Sequence, residues 1–207
     1  MLNAAREARD TMKKKAGCAV AIALCSALLC VAQEREPKNL IGTSPFVLLS
    51  LLPDSGTVYG EFEYGRKIDD RQVLLVGVDV FQYAAPLSRP YAETENYPGH
   101  VLSGGLIAAD QVFLWRGLFV APIVNPCIIA YYDQGGRYIQ SGFMLLLCAR
   151  AGYHFDFRLF GRPLYFELGG EIDWWPVNLN EPRGFGEEEG KYGDHSFSPA
   201  LNIGLKF

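Results

Sequence analysis

Residues 196–207, Ser-Phe-Ser-Pro-Ala-Leu-Asn-Ile-Gly-Leu-Lys-Phe, end the chain with side chains that alternate in character. From Phe197 to Phe207 every second residue is apolar or proline, and the residues between them are small or polar. Successive side chains of a β-strand point to opposite faces, so this alternation predicts a strand that separates an apolar from a polar environment. The same period of two recurs along the chain and predicts an all-β fold.

The alternating runs divide the chain into eight predicted strands. The first and the fifth contain Pro45, Pro122 and Pro126, which cannot donate to a backbone ladder, and they are less regular than the others. The predicted strands are residues 40–52, 57–66, 71–83, 100–110, 115–131, 138–155, 162–176 and 196–207.

The connections differ in length according to the end of the sheet at which they lie. The predicted turns 67–70, 111–114 and 156–161 follow the second, fourth and sixth strands and are short. The connections 84–99 and 177–195 follow the third and seventh strands and are long and polar. Short periplasmic turns and longer external loops are typical of outer-membrane barrels. The sequence therefore predicts an eight-stranded antiparallel transmembrane up-and-down β-barrel.

The N-terminus has the organisation of an export signal. Three lysines at 13–15 precede an uncharged apolar run at 16–31, which ends at the small residue Ala32. A basic segment, an apolar segment and a small-residue end predict a secretory signal peptide at residues 1–32, and a mature domain at 33–207. The apolar run is shorter than the roughly 20 residues that a spanning helix needs.

The charge of the mature domain disfavours nucleic acid as a partner. Removing five basic and two acidic residues from the 19 and 23 of the full chain leaves 14 basic and 21 acidic residues. Nucleic-acid binding needs a basic surface, and this domain is acidic. Translation can start at Met1 or Met12, and the sequence leaves open whether the remaining cysteines, Cys127 and Cys148, pair.

The alternation also predicts which side chains face the interior. A β-structure in hydrocarbon must close and present an apolar outer face, so the Leu, Ile, Val and Phe rows are expected outside. With a turn centred near Leu159, Arg150 is expected opposite Glu167. A soluble lipocalin-like barrel, with the apolar face inward, stays an alternative. The alternation of side chains does not by itself say which face of the sheet contacts water. The predicted lumen charge network is Glu61, Glu63, Asp79, Arg150, His154, Glu167, Glu171 and Asp173.

The last strand and the overall pattern resemble a known class. A final strand that ends in an aromatic residue, here Phe207, resembles the C-terminal assembly signal of bacterial outer-membrane barrels. The mature length, strand number and loop pattern are similar to the small barrels of the OmpA, OmpX and OmpW kind. This resemblance implies the cell outer membrane as location, its lipid as surroundings, and the barrel assembly machinery as a partner that reads the last strand.

The predicted lumen also has an apolar upper part, which suggests a function. Similarity to the OmpW family implies passage of small hydrophobic molecules through this region. The alternative is a structural or surface-interaction barrel, whose loops 84–99 and 177–195 contact a host or ligands. We predict no catalytic, cofactor or metal residues, because none of His100, His154 and His195 belongs to a nucleophile motif or has metal-ligand spacing. The predicted apolar residues are Phe81, Tyr83, Ile129, Tyr131 and Met144.

Overall fold

The computed structural model describes residues 37–51, 58–84, 87 and 98–207. The predicted signal peptide and most of the predicted loop 84–99 lie outside these residues. The described chain forms eight antiparallel strands, each hydrogen-bonded to the next, in one sheet that closes between the first and the last. The strands are β1 (Asn39–Thr43), β2 (Tyr59–Lys67), β3 (Gln72–Ala84), β4 (Gly99–Trp115), β5 (Leu118–Asp133), β6 (Tyr138–Leu159), β7 (Arg162–Leu179) and β8 (His195–Lys206).

The first strand is much shorter than predicted. It ends at Thr43, and Pro45–Leu51 form a 3-10 helix where the sequence predicted more strand. Proline supplies no ladder donor, so Pro45 ends the pairing. The 3-10 helix lies against β2 and β8, with the ring of Phe46 edge-on to that of Tyr59 at a centroid distance of 6.5 Å.

Two hairpin turns are tighter than the sequence predicted. β4 continues to Trp115 and turns at Arg116-Gly117, so the predicted turn at 111–114 was wrong. β6 continues to Leu159 and turns at Phe160-Gly161. All four turn residues have positive φ, between 45° and 97°. This is the backbone of two-residue hairpin turns whose twist matches that of the strands.

The tighter turn changes the register between β6 and β7. Leu159 lies opposite Arg162, which places Arg150 opposite Glu171 and His154 opposite Glu167. The predicted pairing of Arg150 with Glu167 was therefore wrong. The difference is four residues along β7, an even number, so the same side chains still face the interior.

The two ends of the barrel are unlike. The turn end carries the short β2–β3, β4–β5 and β6–β7 connections. It also carries the start of β1 and the end of β8. The opposite, loop end carries the remaining connections, including a short helix, α1 (Arg183–Glu189), between β7 and β8. The sequence predicted residues 177–195 only as a loop, because this segment has no regular periodicity.

The aliphatic rows lie on the outside of the barrel. Val76, Leu106 and Ile128 are 56, 62 and 70% exposed, whereas the next residue along β5, Ile129, is fully buried. Further Leu, Val, Ile, Phe and Trp side chains share the outer face on every strand from β2 to β8. Among the described residues no helix is long and apolar enough to cross a membrane.

The wall is incomplete as a sheet between β2 and β8. β1 pairs only residues 40–43 with β8 and 39–42 with β2. Toward the loop end no described strand pairs with the remaining residues of this edge of β2 or of β8, and the 3-10 helix contacts both strands. The hydroxyl of Thr43 donates to the backbone oxygen of Glu61 and so satisfies part of the open β2 edge. We call this region the β2–β8 seam.

Candidate functional site

The interior is the candidate functional site, since it concentrates the buried polar side chains of the molecule. It has a charged layer nearer the turn end, a small polar layer above it, and an apolar layer at the loop end. Long strands place these layers because every second residue of each strand points inward.

Arg150 organises the charged layer. Its Nε donates to Glu171 on the neighbouring β7 at 2.7 Å, and its Nη1 donates to Glu63 at 3.2 Å. Its Nη2 donates to Glu61 at 3.4 Å. Both Glu61 and Glu63 belong to β2, which stands four strands from β6 around the ring. The guanidinium therefore spans the interior and joins opposite walls.

His154 forms a second group. It lies four residues after Arg150 on β6 and is closer to the turn end. Its Nδ1 lies 2.7 Å from Glu167 and its Nε2 lies 3.2 Å from Asp156. Gln111 donates to the same Glu167 oxygen at 2.6 Å. The imidazole also stacks on the ring of Tyr165 at 5.0 Å. The predicted partner of Glu167 was Arg150, and the structure gives it His154 and Gln111 instead.

The other two predicted charges lie in the small polar layer and have neutral partners. Asp79 accepts a hydrogen bond from Asn125 at 2.6 Å. Asp173 accepts from the hydroxyl of Ser196 at 3.0 Å. The eight predicted charges thus all line the interior: Asp173 adjoins the Arg150 group, within 4.8 Å of Glu171, and Asp79 is hydrogen-bonded to Asn125.

Both described cysteines, Cys127 and Cys148, are buried and free, and one of them stands in a cluster of metal-ligand atom types. The sulfur of Cys148 and carboxylate oxygens of Glu171 and Asp173 lie within 4.8 Å of one another. Glu171 already accepts from Arg150, and Asp173 accepts from Ser196. We therefore interpret this cluster as part of the polar packing.

The apolar layer contains the five residues that the sequence assigned to the upper lumen. Ile129, Tyr131 and Met144 are almost completely buried. Tyr83 is buried as well, and Phe81 stacks on it with a centroid distance of 5.8 Å. These side chains pack against one another and do not leave an open funnel.

Phe185 of α1 closes this layer at the loop end. It is 2% exposed, and its ring lies edge-on to that of Tyr131 at 5.0 Å. The carboxylate of Glu189, at the end of α1, accepts the backbone N–H of Leu87 at 2.7 Å. Burial raises the pKa of Glu189 to about 7, and burial also raises the pKa of the nearby Glu181. α1 is thus a cap that carries an aromatic plug and a buried carboxyl group.

The residues that sequence reasoning missed fall into two kinds. Gln111, Asn125 and Asn202 continue the inward alternation, and Asn202 donates to Glu63 at 3.3 Å. Gln111 was not predicted because it lay in the wrongly predicted turn 111–114. Asn125 was not predicted because it lies among the prolines of β5. Phe185 carries no such signal, because its burial depends on how α1 folds back over the barrel.

The other two histidines lie at the loop end of the barrel. His100 stacks on Tyr132 at 4.9 Å. Ser196 follows His195 in the sequence, and its hydroxyl donates to Asp173.

No family model matches the chain, and no curated protein or solved structure matches it. The functional proposals therefore rest on the sequence and on the geometry of the interior and the surface.

Proposed function

We propose that this chain is an integral outer-membrane β-barrel protein. The observation that carries the proposal is the polarity of the two faces. Outward side chains such as Leu106 and Ile128 are aliphatic and largely exposed, whereas Arg150, Glu63 and Glu167 are buried inside. In water this arrangement exposes apolar surface and desolvates charge, and in a bilayer it presents apolar surface to lipid. A soluble lipocalin-like barrel has the opposite arrangement, with its apolar face inward.

The strand lengths support the same proposal. β4 has 17 residues, and at about 3.3 Å per residue it is about 56 Å long. A strand of that length tilted by about 45° rises about 40 Å, which exceeds the roughly 25 Å apolar band of such barrels. The excess length places both ends of the strand beyond the band.

The proposed location rests on the predicted export signal and on the last strand. Phe207 exchanges backbone hydrogen bonds with Asn39 at 2.8 and 2.9 Å, which closes the barrel next to the chain terminus. A terminal aromatic residue at this point is what the resemblance to outer-membrane barrels implies for the assembly signal. The proposed partners are outer-membrane lipid and the barrel assembly machinery.

The second candidate function is passage of small hydrophobic molecules. The observation that favours it is the apolar layer at the loop end, which α1 covers through Phe185. If α1 lifts, Phe185 leaves an apolar chamber lined by Tyr131 and Met144. The charged layer below blocks an axial path, so a solute would leave sideways, through the β2–β8 seam and into lipid.

A structural or surface-interaction barrel is the alternative. It is favoured by the dense packing of both layers, since the described conformation has no open path through them. In that role the loop-end segments, including α1, would contact partners or ligands. Two experiments separate these possibilities.

The first experiment tests membrane insertion. Protein extracted from envelopes with detergent should run as a compact band before boiling and as a slower, unfolded band after boiling. It should also partition with detergent and not with the aqueous phase. Partition into water with no heat-dependent mobility would refute the membrane barrel.

The second experiment tests passage. The purified protein in liposomes should admit a hydrophobic dye faster than empty liposomes, and Phe185→Ala should raise the rate. Arg183→Ala, at an exposed position of the same helix, is the matched control and should leave the rate unchanged. No uptake above empty liposomes with either protein would leave the structural role.

A further inference from the structure

The β6–β7 hairpin projects past its neighbours at the turn end. The last paired residues of β5 and β6 are Leu118 and Tyr153, with one further hydrogen bond from His154 N–H to Gly117. β6 nevertheless continues to Leu159. Residues 155–159 therefore pair with β7 on one side only, and no described strand lies on the other side. We call residues 155–163 the projecting hairpin.

This hairpin presents free backbone groups. His154 directs its N–H toward β5, and in an antiparallel ladder every second residue points its N–H and C=O the same way. Asp156 and Arg158 accordingly present theirs on the unpaired edge. Such an edge is a template for a further strand, and proteins usually protect it.

A basic cavity lies beside this edge. The opening at the turn end encloses about 1040 Å³, and we call it the vestibule. It is lined by six basic and three acidic side chains, although the mature domain as a whole is acidic. Lys67 pairs with Asp70 at 3.0 Å, and Lys206 pairs with Asp156. The other four basic residues form no salt bridge with any residue in the described ranges: Lys38, Arg71, Arg116 and Arg158.

The tip of the hairpin carries an unusual residue. Phe160 is 95% exposed and has a φ of 51°. That turn position favours Asn, Asp or Gly, because β-carbons are strained at positive φ. A large apolar ring at such a site gains nothing from the fold of this chain. A contact outside the chain would account for it.

We propose that the vestibule and the projecting hairpin form a docking site for an extended, acidic segment of a partner protein. The segment adds as a strand to the free edge of β6 at Asp156 and Arg158. Its carboxylates face the unpaired basic residues of the vestibule, and an apolar side chain contacts Phe160. The free backbone edge distinguishes a peptide from a small anion, which needs only the charges. This site opens on the turn end of the interior, where Asp156 contacts His154, and lies at the opposite end of the barrel from the proposed entry of solutes.

Binding of a model peptide tests the site. The probe is a fluorescent octapeptide of alternating glutamate and valine, added to the full protein in zwitterionic micelles, with anisotropy as readout. A lysine–valine peptide controls for charge. A glutamate–valine peptide with every backbone nitrogen methylated has the same charge but has no N–H to donate to the edge. We expect the glutamate–valine peptide to bind about tenfold more tightly than either control.

Two substitutions at one position separate charge from strand pairing. Arg158→Gln removes only the charge and should weaken binding by about two- to fivefold. Arg158→Pro also removes the free N–H and should weaken binding by about a further three- to tenfold. Proline is tolerated where an edge N–H faces solvent, and heat-dependent gel mobility checks that the barrel folds.

A third variant does not depend on the folding of Arg158→Pro. Phe160→Asn places a favoured residue in the turn, so stability should be retained or increased while peptide binding falls by about three- to tenfold. The proposal is overturned if the glutamate–valine peptide does not bind, if its N-methylated form binds equally well, or if Phe160→Asn binds as tightly as the parent. Displacement of the peptide by pyrophosphate, together with equal binding of the two Arg158 variants, would show an anion site and not a strand site.

Discussion

Leu106→Arg tests the environment of the outer face. Leu106 is the eighth of the 17 residues of β4, and its side chain is 62% exposed on the outside. On a lipid-facing barrel surface, Arg at mid-membrane costs about 2–4 kcal/mol. Leu114, on the same face and strand, is 57% exposed and lies next to the turn end. Near an interface the same change costs only about 0–1 kcal/mol. The two substitutions are chemically identical and differ only in depth.

The free energy of unfolding is measured for both variants and the parent by urea titration in lipid vesicles, with tryptophan fluorescence as the probe. We expect Leu106→Arg to lose about 2–3 kcal/mol more than Leu114→Arg. With a urea dependence of about 2 kcal/mol per molar, this difference moves the midpoint by about 1–1.5 M. Such a shift is well outside the error of the titration.

Equal midpoints for the three proteins would refute the membrane proposal. In water, replacing one exposed side chain by another usually changes stability by less than about 0.5 kcal/mol. A soluble barrel therefore predicts no dependence on depth. A large loss for Leu114→Arg as well would instead place the membrane band closer to the turn end than we propose.

Three further outcomes are expected. Glu189 has a pKa raised to about 7 from the usual 4.5, so between these pH values the folded state holds a proton that the unfolded state has lost. Docking of α1 should therefore weaken by about 1–3 kcal/mol as the pH rises through this window, as measured by hydrogen exchange of the Phe185 amide. Glu189→Gln should remove this pH dependence. Arg150→Met leaves Glu61, Glu63 and Glu171 without their cation and should cost about 3–5 kcal/mol by urea unfolding. Deleting Phe207 removes both its ring and its two backbone hydrogen bonds with β1. The deletion should therefore lower the heat-modifiable fraction of the protein in envelopes more than Phe207→Ser does. Equal effects of the two changes would show that only the ring matters.

The alternation of side chains predicted the eight strands and the closed sheet because each strand separates two environments over its whole length. It failed where a local feature decides. Pro45 ended β1 early, and the two-residue turns at Arg116-Gly117 and Phe160-Gly161 stand where the sequence predicted turns at 111–114 and 156–161. Turn position sets the register, so Arg150 received Glu171 as its neighbour in place of Glu167.

The candidate site was predictable in composition but not in its contacts. Parity places Arg150 and Glu63 on the charged faces of their strands, and the expectation of an apolar outer face turned these faces inward. Their contact crosses the barrel from β6 to β2 and depends on the closure and shear of the sheet, which no local pattern encodes. The cap was not predictable, because Phe185 lies in a segment without periodicity and is buried only by tertiary contact.

The charged layer and the apolar layer of the interior differ in how they can open. The charged layer joins opposite walls through Arg150, so an axial opening there requires the loss of up to three ion pairs at once. The apolar layer is closed by α1, which is held by the ring of Phe185 and by the hydrogen bond from Leu87 to Glu189. The described contacts of α1 include one aromatic pair and one hydrogen bond, and no ion pair that joins opposite walls, so opening is expected at the loop end first. A molecule admitted there meets the charged layer below it and the β2–β8 seam beside it. Among the described residues the seam is closed by a seven-residue 3-10 helix and not by a paired strand, so we expect a lateral exit, if solutes pass, at this place.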